Sequence, residues 1–208
     1  MKTVRIEFIS DFICPWCYIG KARLERVEKM LAEEIHLQIE AQPFQLYAFI
    51  PKGGLPKSDF AKRTKYGMGR SLRQAAEIEG IELNYRHIER IPNSRDAHRL
   101  VSLIEAFIPQ YQTAKQIFHD YIEQGQNIED IDYLLTLGRI AGLPDETLDD
   151  FTKAEAGKSL LAQTLAHWQA EFVSVVPSLR LDGKFMVPGL QDADTWVNYI
   201  RRAAELQA

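Results

Sequence analysis

Cys14 and Cys17 are the only cysteines in this 208-residue chain, and Pro15 and Trp16 separate them. Two thiols at this spacing can close a small disulfide ring. The residues before Cys14 alternate between apolar and polar, which predicts a strand, and the residues after Cys17 have a helical period. The first cysteine therefore lies at a helix N-terminus, where the dipole and free backbone N–H groups stabilise a thiolate. The pattern predicts thiol–disulfide exchange.

The two cysteines have different expected roles. We expect Cys14 to be the nucleophile, with a solvent-accessible and acidic thiol, because it lies nearest the helix N-terminus. Its thiolate would attack a substrate disulfide, and Cys17 would then break the mixed disulfide. Pro15 suits the first helical turn, where no N–H is needed, and Trp16 offers an apolar surface near the sulfurs. We assign Pro15 and Trp16 to substrate binding.

Two other interpretations of the cysteine pair deserve comparison. Cysteine is often a small buried residue, although the strand and helix around the motif make this interpretation weaker. A zinc site would need four ligands, and the histidines offer no pair at a spacing of three to five residues. The histidines are His36, His87, His98, His119 and His167. The sequence therefore predicts no metal site.

Two further residues could transfer protons. His98 lies between the apolar residues Ala97 and Leu100 of a predicted helix, which favours a structural role. Glu40 alternates with apolar neighbours on the second predicted strand. This alternation puts Glu40 on the polar face and not beside Cys17. We therefore assign neither residue to catalysis.

Periodicity divides the rest of the chain into three parts. Residues 1–10, 16–34 and 35–41 read as strand, helix and strand, with a parallel crossover. Proline and glycine in residues 47–56 mark a boundary. Helices are then predicted over residues 71–80, 94–107, 111–124, 129–141 and 146–173, with Pro109 ending the second and a break near Gly157 in the last. No internal repeat or low-complexity run is present.

The C-terminal part returns to strands. Residues 175–181 and 185–187 predict a hairpin around an Asp182-Gly183 turn. Asp192 or Asp194 then caps a final helix. Its inward residues are expected to be Trp196, Val197 and Ile200. The predicted order is βαβ, a helical block, and ββα.

This order, with a C-x-x-C motif after the first strand, resembles the thioredoxin fold of the DsbA-like superfamily. Residues 11–21, 43–46, 93–94, 97–99 and 176–177 resemble the FrnE-type branch of that superfamily. The resemblance implies an α/β fold in which a helical insertion domain interrupts the thioredoxin fold. We expect residues 1–55 and 158–208 to form the thioredoxin domain and residues 56–157 the insertion.

The resemblance also implies how the site works. It places Val176 and Pro177 opposite the dithiol, joined by a cis peptide bond, and gives them a substrate-docking role. It makes Cys14 the more exposed cysteine. The implied activity is dithiol–disulfide oxidoreductase, with isomerase activity included, on a protein or small-molecule disulfide. The Cys14–Cys17 disulfide is the only redox group, and glutathione is a candidate reductant.

Two different functions compete with this one. Kappa-class glutathione transferases and 2-hydroxychromene-2-carboxylate isomerases share the fold and the helical block, but they typically carry serine where Cys14 stands. A non-catalytic binding module is the third hypothesis, and the intact dithiol argues against it.

Composition limits the partners and the compartment. The net charge is −4 with scattered basic residues, which predicts neither a nucleic-acid nor a membrane partner. No window has the roughly 18 consecutive apolar residues of a membrane span. The first residues read as a strand without an export pattern, which predicts a cytoplasmic protein. The direction of the reaction and the oligomeric state stay open.

Overall fold

The computed structural model describes residues 1–64, 69–84, 87–153 and 155–207. The strands are β1 (Lys2–Ser10), β2 (Ile35–Pro43), β3 (Leu55–Pro56), β4 (Arg90–Ile91), β5 (Ser178–Leu181) and β6 (Phe185–Pro188). The helices are α1 (Pro15–Leu31), α2 (Lys57–Thr64), α3 (Arg70–Ile78), α4 (Arg95–Ser102), α5 (Phe107–Gln124), α6 (Ile131–Ile140), α7 (Asp145–Thr152), α8 (Lys158–Ala170) and α9 (Ala193–Glu205).

The main sheet has the strand order β2-β1-β5-β6. Strand β1 is parallel to β2, with α1 as the crossover, and antiparallel to β5. A turn at Asp182-Gly183, where both residues have positive φ, joins β5 to β6. The α/β thioredoxin fold with its βαβ and ββα halves is confirmed. Because Ser10 pairs with Pro43, the segments that follow β1 and β2 meet at one end of the sheet.

The hydrophobic core lies on both faces of this sheet. Side chains of β1 such as Phe8 are fully buried, and the inward residues predicted for the last helix, Trp196, Val197 and Ile200, are buried in α9. Asp192 caps α9 by accepting the Thr195 N–H. The core cluster includes residues of β1 and of the intervening helices. The domain bounds 1–55, 158–208 and 56–157 stay a prediction.

A side chain protects part of the free edge of β2. Gln110 of α5 accepts the Ala41 N–H through Oε1 at 2.9 Å and donates through Nε2 to the Ala41 carbonyl at 3.0 Å. The carboxamide therefore takes the place of a neighbouring strand at Ala41. These bonds fix α5 to the sheet at the end near the cysteines.

Several predicted bounds are wrong in the helical block. The helix predicted over residues 94–107 ends at Ser102, and Pro109 lies in the first turn of α5 instead of ending a helix. The first turn tolerates proline because its N–H groups have no partners within the helix. Helix α2 and the short pair β3–β4 were missed, since two-residue strands carry no periodicity. The region 146–173 is indeed broken, with Gly157 at φ 73°, while Ala154 lies outside the described residues.

The first strand of the C-terminal hairpin starts later than expected. It was predicted from Val175, but β5 begins at Ser178, directly after Pro177. Proline has no N–H to give to a strand ladder, so it limits pairing at this point. Among the described helices, none is both long and apolar enough to cross a membrane.

Candidate active site

Cys14 occupies the N-cap position of α1. Its backbone is extended, with φ −89° and ψ 113°, and the helix starts at Pro15. The Cys14 carbonyl accepts the N–H groups of Cys17 at 3.0 Å and of Tyr18 at 3.2 Å. The first turn of α1 contains no acidic residue, so the positive end of the helix dipole is not neutralised there. The predicted position of the motif on a helix start is confirmed.

Both cysteines are free thiols, and both are buried. Cys14 is 3% exposed and Cys17 is 0% exposed, so the expected order of exposure is correct. The prediction of a solvent-accessible Cys14 is wrong for this state of the protein. Phe44, Leu46 and Tyr47 pack against the core cluster that contains both cysteines, and residues 44–47 are here named the covering segment. Substrate access to Cys14 therefore requires a local change in the packing around this residue.

Tyr47 of the covering segment interacts electrostatically with Cys14. Burial raises the pKa of the Tyr47 hydroxyl first, and the negative charges of Cys14 and Asp11 raise it further. The Tyr47 ring packs edge-on against Phe60, with centroids 4.8 Å apart. The covering segment is therefore held from α2 and lies next to the dithiol.

Cys17 holds its proton strongly. Burial raises the pKa of the Cys17 thiol well above its ordinary value, and the hydrogen bond to Cys14 raises it further. A backbone hydrogen bond from Asp11 acts in the opposite direction and does not outweigh the burial. The Cys17 thiol thus stays protonated and donates a hydrogen bond to the Cys14 sulfur. The two sulfurs are therefore within hydrogen-bond distance of each other.

Pro177 lies against the face of α1 that carries Cys17. The Val176–Pro177 peptide bond is cis, as the resemblance implies, and Val176 is buried. A Cβ added to Gly20 would lie 2.8 Å from Pro177 Cγ. Residues three apart share a face of a helix, so Gly20 and Cys17 face the same way. The structure thus brings Pro177 to the same end of α1 as the dithiol.

Trp16 and Pro15 begin the helix beside the sulfurs. Pro15 is buried in the first turn, and Trp16 is half-buried and packs against the core cluster. The two residues between the cysteines therefore supply apolar surface, as predicted from their types. Their role in substrate binding stays a prediction.

A buried acid next to the dithiol was not singled out from the sequence. Asp11 is 0% exposed. Its Oδ2 accepts the Leu46 N–H at 2.7 Å, and its Oδ1 lies 3.3 Å from His98 Nε2. His98 is also buried and stacks on Phe12, with ring centroids 4.4 Å apart. The available signal was an acid inside the apolar run that leads from β1 to Cys14.

Glu40 and Asn93 have structural roles. Glu40 is half-buried and forms an ion pair with Arg5, which agrees with its predicted place on the polar face. Asn93 Oδ1 accepts a hydrogen bond from Gln45 Nε2 at 3.2 Å, and Asn93 Nδ2 donates to the Ile50 carbonyl. Asn93 therefore ties the covering segment and the residues after it to the start of α4.

The described residues contain no group of three or more His, Cys, Asp and Glu side chains that could hold a metal ion. The chemistry of the site comes from the two thiols and the groups around them.

Comparisons with known proteins give the same picture of the fold. The sequence profile described as DSBA-like thioredoxin domain matches residues 5–201. Among curated proteins, the uncharacterized protein YwbO of Bacillus subtilis (strain 168) is 25% identical over 195 residues, which cover 93% of this chain and 94% of YwbO.

Solved structures with similar folds include three with different described activities. The probable DsbA oxidoreductase SCO1869 from Streptomyces coelicolor has a TM-score of 0.79 at 23% identity, covering 96% of this chain and 89% of SCO1869. A 2-hydroxychromene-2-carboxylate isomerase has a TM-score of 0.66 at 17% identity, with coverage of 98% and 96%. The cytosolic disulfide reductase DsbM from Pseudomonas aeruginosa with GSH has a TM-score of 0.60 at 12% identity, with coverage of 99% and 96%.

Proposed function

Because this chain belongs to the DSBA-like thioredoxin domain family, we propose that it is a thiol–disulfide oxidoreductase that acts through Cys14 and Cys17. The observation that carries the proposal is the pair itself. Cys14 caps the start of α1, and the Cys17 thiol is hydrogen-bonded to it. Among the described residues, both cysteines are reduced and adjacent, which is the state that can donate two electrons to a disulfide.

The reaction divides into two exchanges. The Cys14 thiolate attacks one sulfur of a substrate disulfide, and the other substrate sulfur leaves as a thiolate. Cys17 then loses its proton and attacks Cys14, which closes the Cys14–Cys17 disulfide and releases the second substrate thiol. The enzyme is oxidised by two electrons and the substrate is reduced by two. The same steps in reverse oxidise a substrate dithiol, and exchange within one substrate is isomerisation.

The substrate surface in this proposal is the apolar surroundings of the motif. Trp16 and Pro15 border the sulfurs, and Pro177, which follows Val176, packs against α1 at Gly20. An extended substrate chain could pair with the backbone at Val176. Because Cys14 is 3% exposed, the proposal requires a local movement around it, and Tyr47 is the proposed residue that moves.

The proposed substrate is a protein or small-molecule disulfide, the proposed compartment is the cytoplasm, and glutathione is the proposed reductant. A reducing compartment favours disulfide reduction over oxidation. The DsbM structure, which contains GSH, supports glutathione only through a common fold. The redox-active group is the Cys14–Cys17 pair, and no further cofactor is part of the proposal.

The alternative is a glutathione-dependent transferase or 2-hydroxychromene-2-carboxylate isomerase. The fold is compatible with it, as the isomerase structure shows by its TM-score of 0.66. Cysteine at position 14, with the Cys17 thiol hydrogen-bonded to it, favours oxidoreductase activity over this alternative.

The test measures reduction of insulin and of glutathione disulfide by the wild-type chain, Cys14→Ser and Cys17→Ser. We expect Cys14→Ser to abolish exchange with both substrates. Cys17→Ser should accumulate a mixed disulfide at Cys14, because the thiol that breaks it is missing. Turnover of either disulfide that survives in Cys14→Ser would contradict the proposal and favour the alternative. The chain with both cysteines replaced by serine is the control for background exchange.

A further inference from the structure

We propose that the free edge of β2, from His36 to Ile39, is a docking site for an extended segment of another polypeptide. The segment would add to the four-stranded main sheet as a fifth strand and would carry apolar side chains at every second residue. The edge has unpaired backbone groups, a cavity beside it and a buried hydroxyl in the cavity wall. This site is separate from the dithiol and goes beyond the proposed function.

Strand β2 is an edge strand, and its outward backbone groups alternate along the chain. Ala41 directs its N–H and its carbonyl to Gln110, away from β1. Successive residues of a strand point to opposite sides, so Leu37 and Ile39 direct their backbone groups the same way as Ala41. Within residues 1–64, 69–84, 87–153 and 155–207, no hydrogen bond joins these outward groups of Leu37 and Ile39 to another residue. Two successive outward positions of the edge are therefore available for pairing.

The carboxamide of Gln110 indicates what this edge binds. It accepts one hydrogen bond from Ala41 and donates one to it. A neighbouring antiparallel strand makes the same exchange of two bonds at every second residue. Because a peptide group is also an amide, an extended chain beside Ile39 and Leu37 would continue the row of bonds that Gln110 begins. The edge is thus complementary to the backbone of an extended chain.

A cavity of about 590 Å³ lies beside this part of β2. Its wall is mostly apolar and includes residues 36–39 of β2 and residues 106–109 around the start of α5. Ile108 of this wall is 76% exposed, although it is a large apolar residue. The volume lies within the range of about 300–1,000 Å³ that is typical of ligand sites. Every second side chain of an added strand would point to the same face of the sheet, so apolar residues at that spacing would fill the cavity and cover Ile108.

The hydroxyl of Tyr111 is a buried polar group in the wall of the same cavity. Tyr111 is 7% exposed, and its hydroxyl has no hydrogen-bond partner in the part of the chain that the structure describes. Burial raises the pKa of this hydroxyl well above its ordinary value, and the charges of Glu25 and Glu28 raise it further. The hydroxyl therefore keeps its proton and can donate. Because buried polar groups are normally paired, a carbonyl of the docked segment is the expected acceptor.

Helix α5 favours a single extended segment over a second copy of this chain. Gln110 holds the start of α5 at the edge of β2, and Lys115 Nζ, farther along α5, lies 3.4 Å from Glu25 Oε1 of α1. Helix α5 therefore fills the helix layer beside the free edge. A second copy paired through β2 would bring its own crossover helix α1 into the place of α5. An extended segment brings no helix and fits between α5 and the edge.

Fluorescence anisotropy with a synthetic probe tests the site. The probe is a fluorescein-labelled peptide of about eight alternating threonine and valine residues, flanked by lysine for solubility. We expect it to bind the wild-type chain saturably and to bind Ile108→Glu about tenfold more weakly, because the carboxylate would lie at the mouth of an apolar cavity. The matched control is Ile78→Glu on α3, since Ile78 is 67% exposed and is not part of the cavity wall. Its affinity should equal that of the wild type.

Amide hydrogen exchange, measured by NMR, distinguishes strand addition from simple filling of the cavity. In the complex, the outward N–H groups of Leu37 and Ile39 should exchange severalfold more slowly, while the N–H of Gln38, which faces β1, should change little. The same peptide with a methyl group on each valine nitrogen has no donor for this edge and should bind about tenfold more weakly. Equal affinity of the two peptides, or unchanged exchange at Leu37 and Ile39 at saturation, would overturn the proposal.

Two further results would also contradict the docking site. One is a wild-type chain that does not bind the probe saturably, or that binds it no better than Ile108→Glu does. The other is a wild-type dimer that dissociates in Ile108→Glu, since this would make a second copy the occupant of the edge. We expect equal sedimentation coefficients for the two proteins. The probe contains no cysteine, so none of these results depends on the activity of the dithiol.

Discussion

Pro177 lies so close to Gly20 that a Cβ at residue 20 would be 2.8 Å from Pro177 Cγ and 3.1 Å from its Cβ. These distances are below ordinary van der Waals contact, so no larger residue fits at position 20 unless the proline moves. Glycine is required here by close approach and not by a left-handed backbone. The contact sets the distance between the loop before β5 and the helix that carries the dithiol.

Gly20→Ala should therefore move Pro177 away from α1 and lower exchange with protein disulfides. Overpacking of this kind typically costs about 1–3 kcal/mol. Activity is measured by insulin reduction and stability by urea unfolding of the same preparations. Gly69→Ala is the control, because among the described residues a Cβ there meets only the Ser71 hydroxyl at 3.9 Å. Equal activity in Gly20→Ala and the wild type would contradict the assignment of Pro177 to substrate binding.

Removal of the cover over the dithiol should expose Cys14. Tyr47→Ala deletes a ring that packs on Phe60 and lies near Cys14. We expect iodoacetamide to alkylate Cys14 severalfold faster in this variant, as measured by mass spectrometry of reduced protein. Tyr199→Ala, at a half-exposed tyrosine of α9, should leave the rate unchanged. If Cys14 is alkylated no faster in Tyr47→Ala than in the wild type, the covering segment does not limit access of the reagent to Cys14.

The raised pKa of Cys17 predicts a loss of stability in alkaline solution. Its folded-state pKa lies above the value of an unfolded thiol, about 8.5. The contribution to stability is complete below that pH. Above it the unfolded chain loses the proton while the folded chain keeps it, so the free energy of unfolding falls by up to about 1.4 kcal/mol per pH unit.

Urea unfolding of the reduced chain at about pH 8 and 9.5, below the ionisation of ordinary tyrosines, measures this fall. Cys17→Ala should show a smaller decrease between the two pH values than the wild type. Parallel decreases in the two proteins would show that Cys17 does not titrate abnormally.

The carboxamide of Gln110 should stabilise the fold through its two hydrogen bonds to the Ala41 backbone. Gln110→Ala leaves the Ala41 N–H and carbonyl without their partners. An orphaned buried polar group costs about 1–3 kcal/mol, so urea unfolding should show a clear loss. Gln116→Ala on the same helix removes an exposed bond to Asp120 and should cost little. A loss no larger than that of Gln116→Ala would contradict the edge-protecting role.

Local sequence patterns were sufficient to predict much of the fold. The alternation of β1 and β2, the Asp182-Gly183 turn and the Asp192 cap depend on residues close together in the chain, and each is present in the structure. The prediction missed the short strands because they depend on residues that are far apart in the chain. β3 and β4 have two residues each and are stabilised by pairing with one another across the chain.

The site was predictable only where its residues are neighbours in sequence. Cys14 and Cys17 form a motif, and their position at the start of α1 follows from the change of period. The contact between Asp11 and His98 joins residues 87 positions apart, and no local spacing reveals it. The interaction between Tyr47 and Cys14 has the same origin, because Tyr47 follows β2 and lies outside the motif.

The most direct test of the account is a redox titration of the wild-type chain in glutathione buffers, read by intact mass after rapid acid quenching. We predict a single two-electron transition in which the chain loses two hydrogens and forms the Cys14–Cys17 disulfide, with no stable glutathione adduct. The transition should be absent in Cys14→Ser and in Cys17→Ser. A wild-type chain that stays reduced throughout, or that only accumulates a glutathione adduct, would contradict the proposed function.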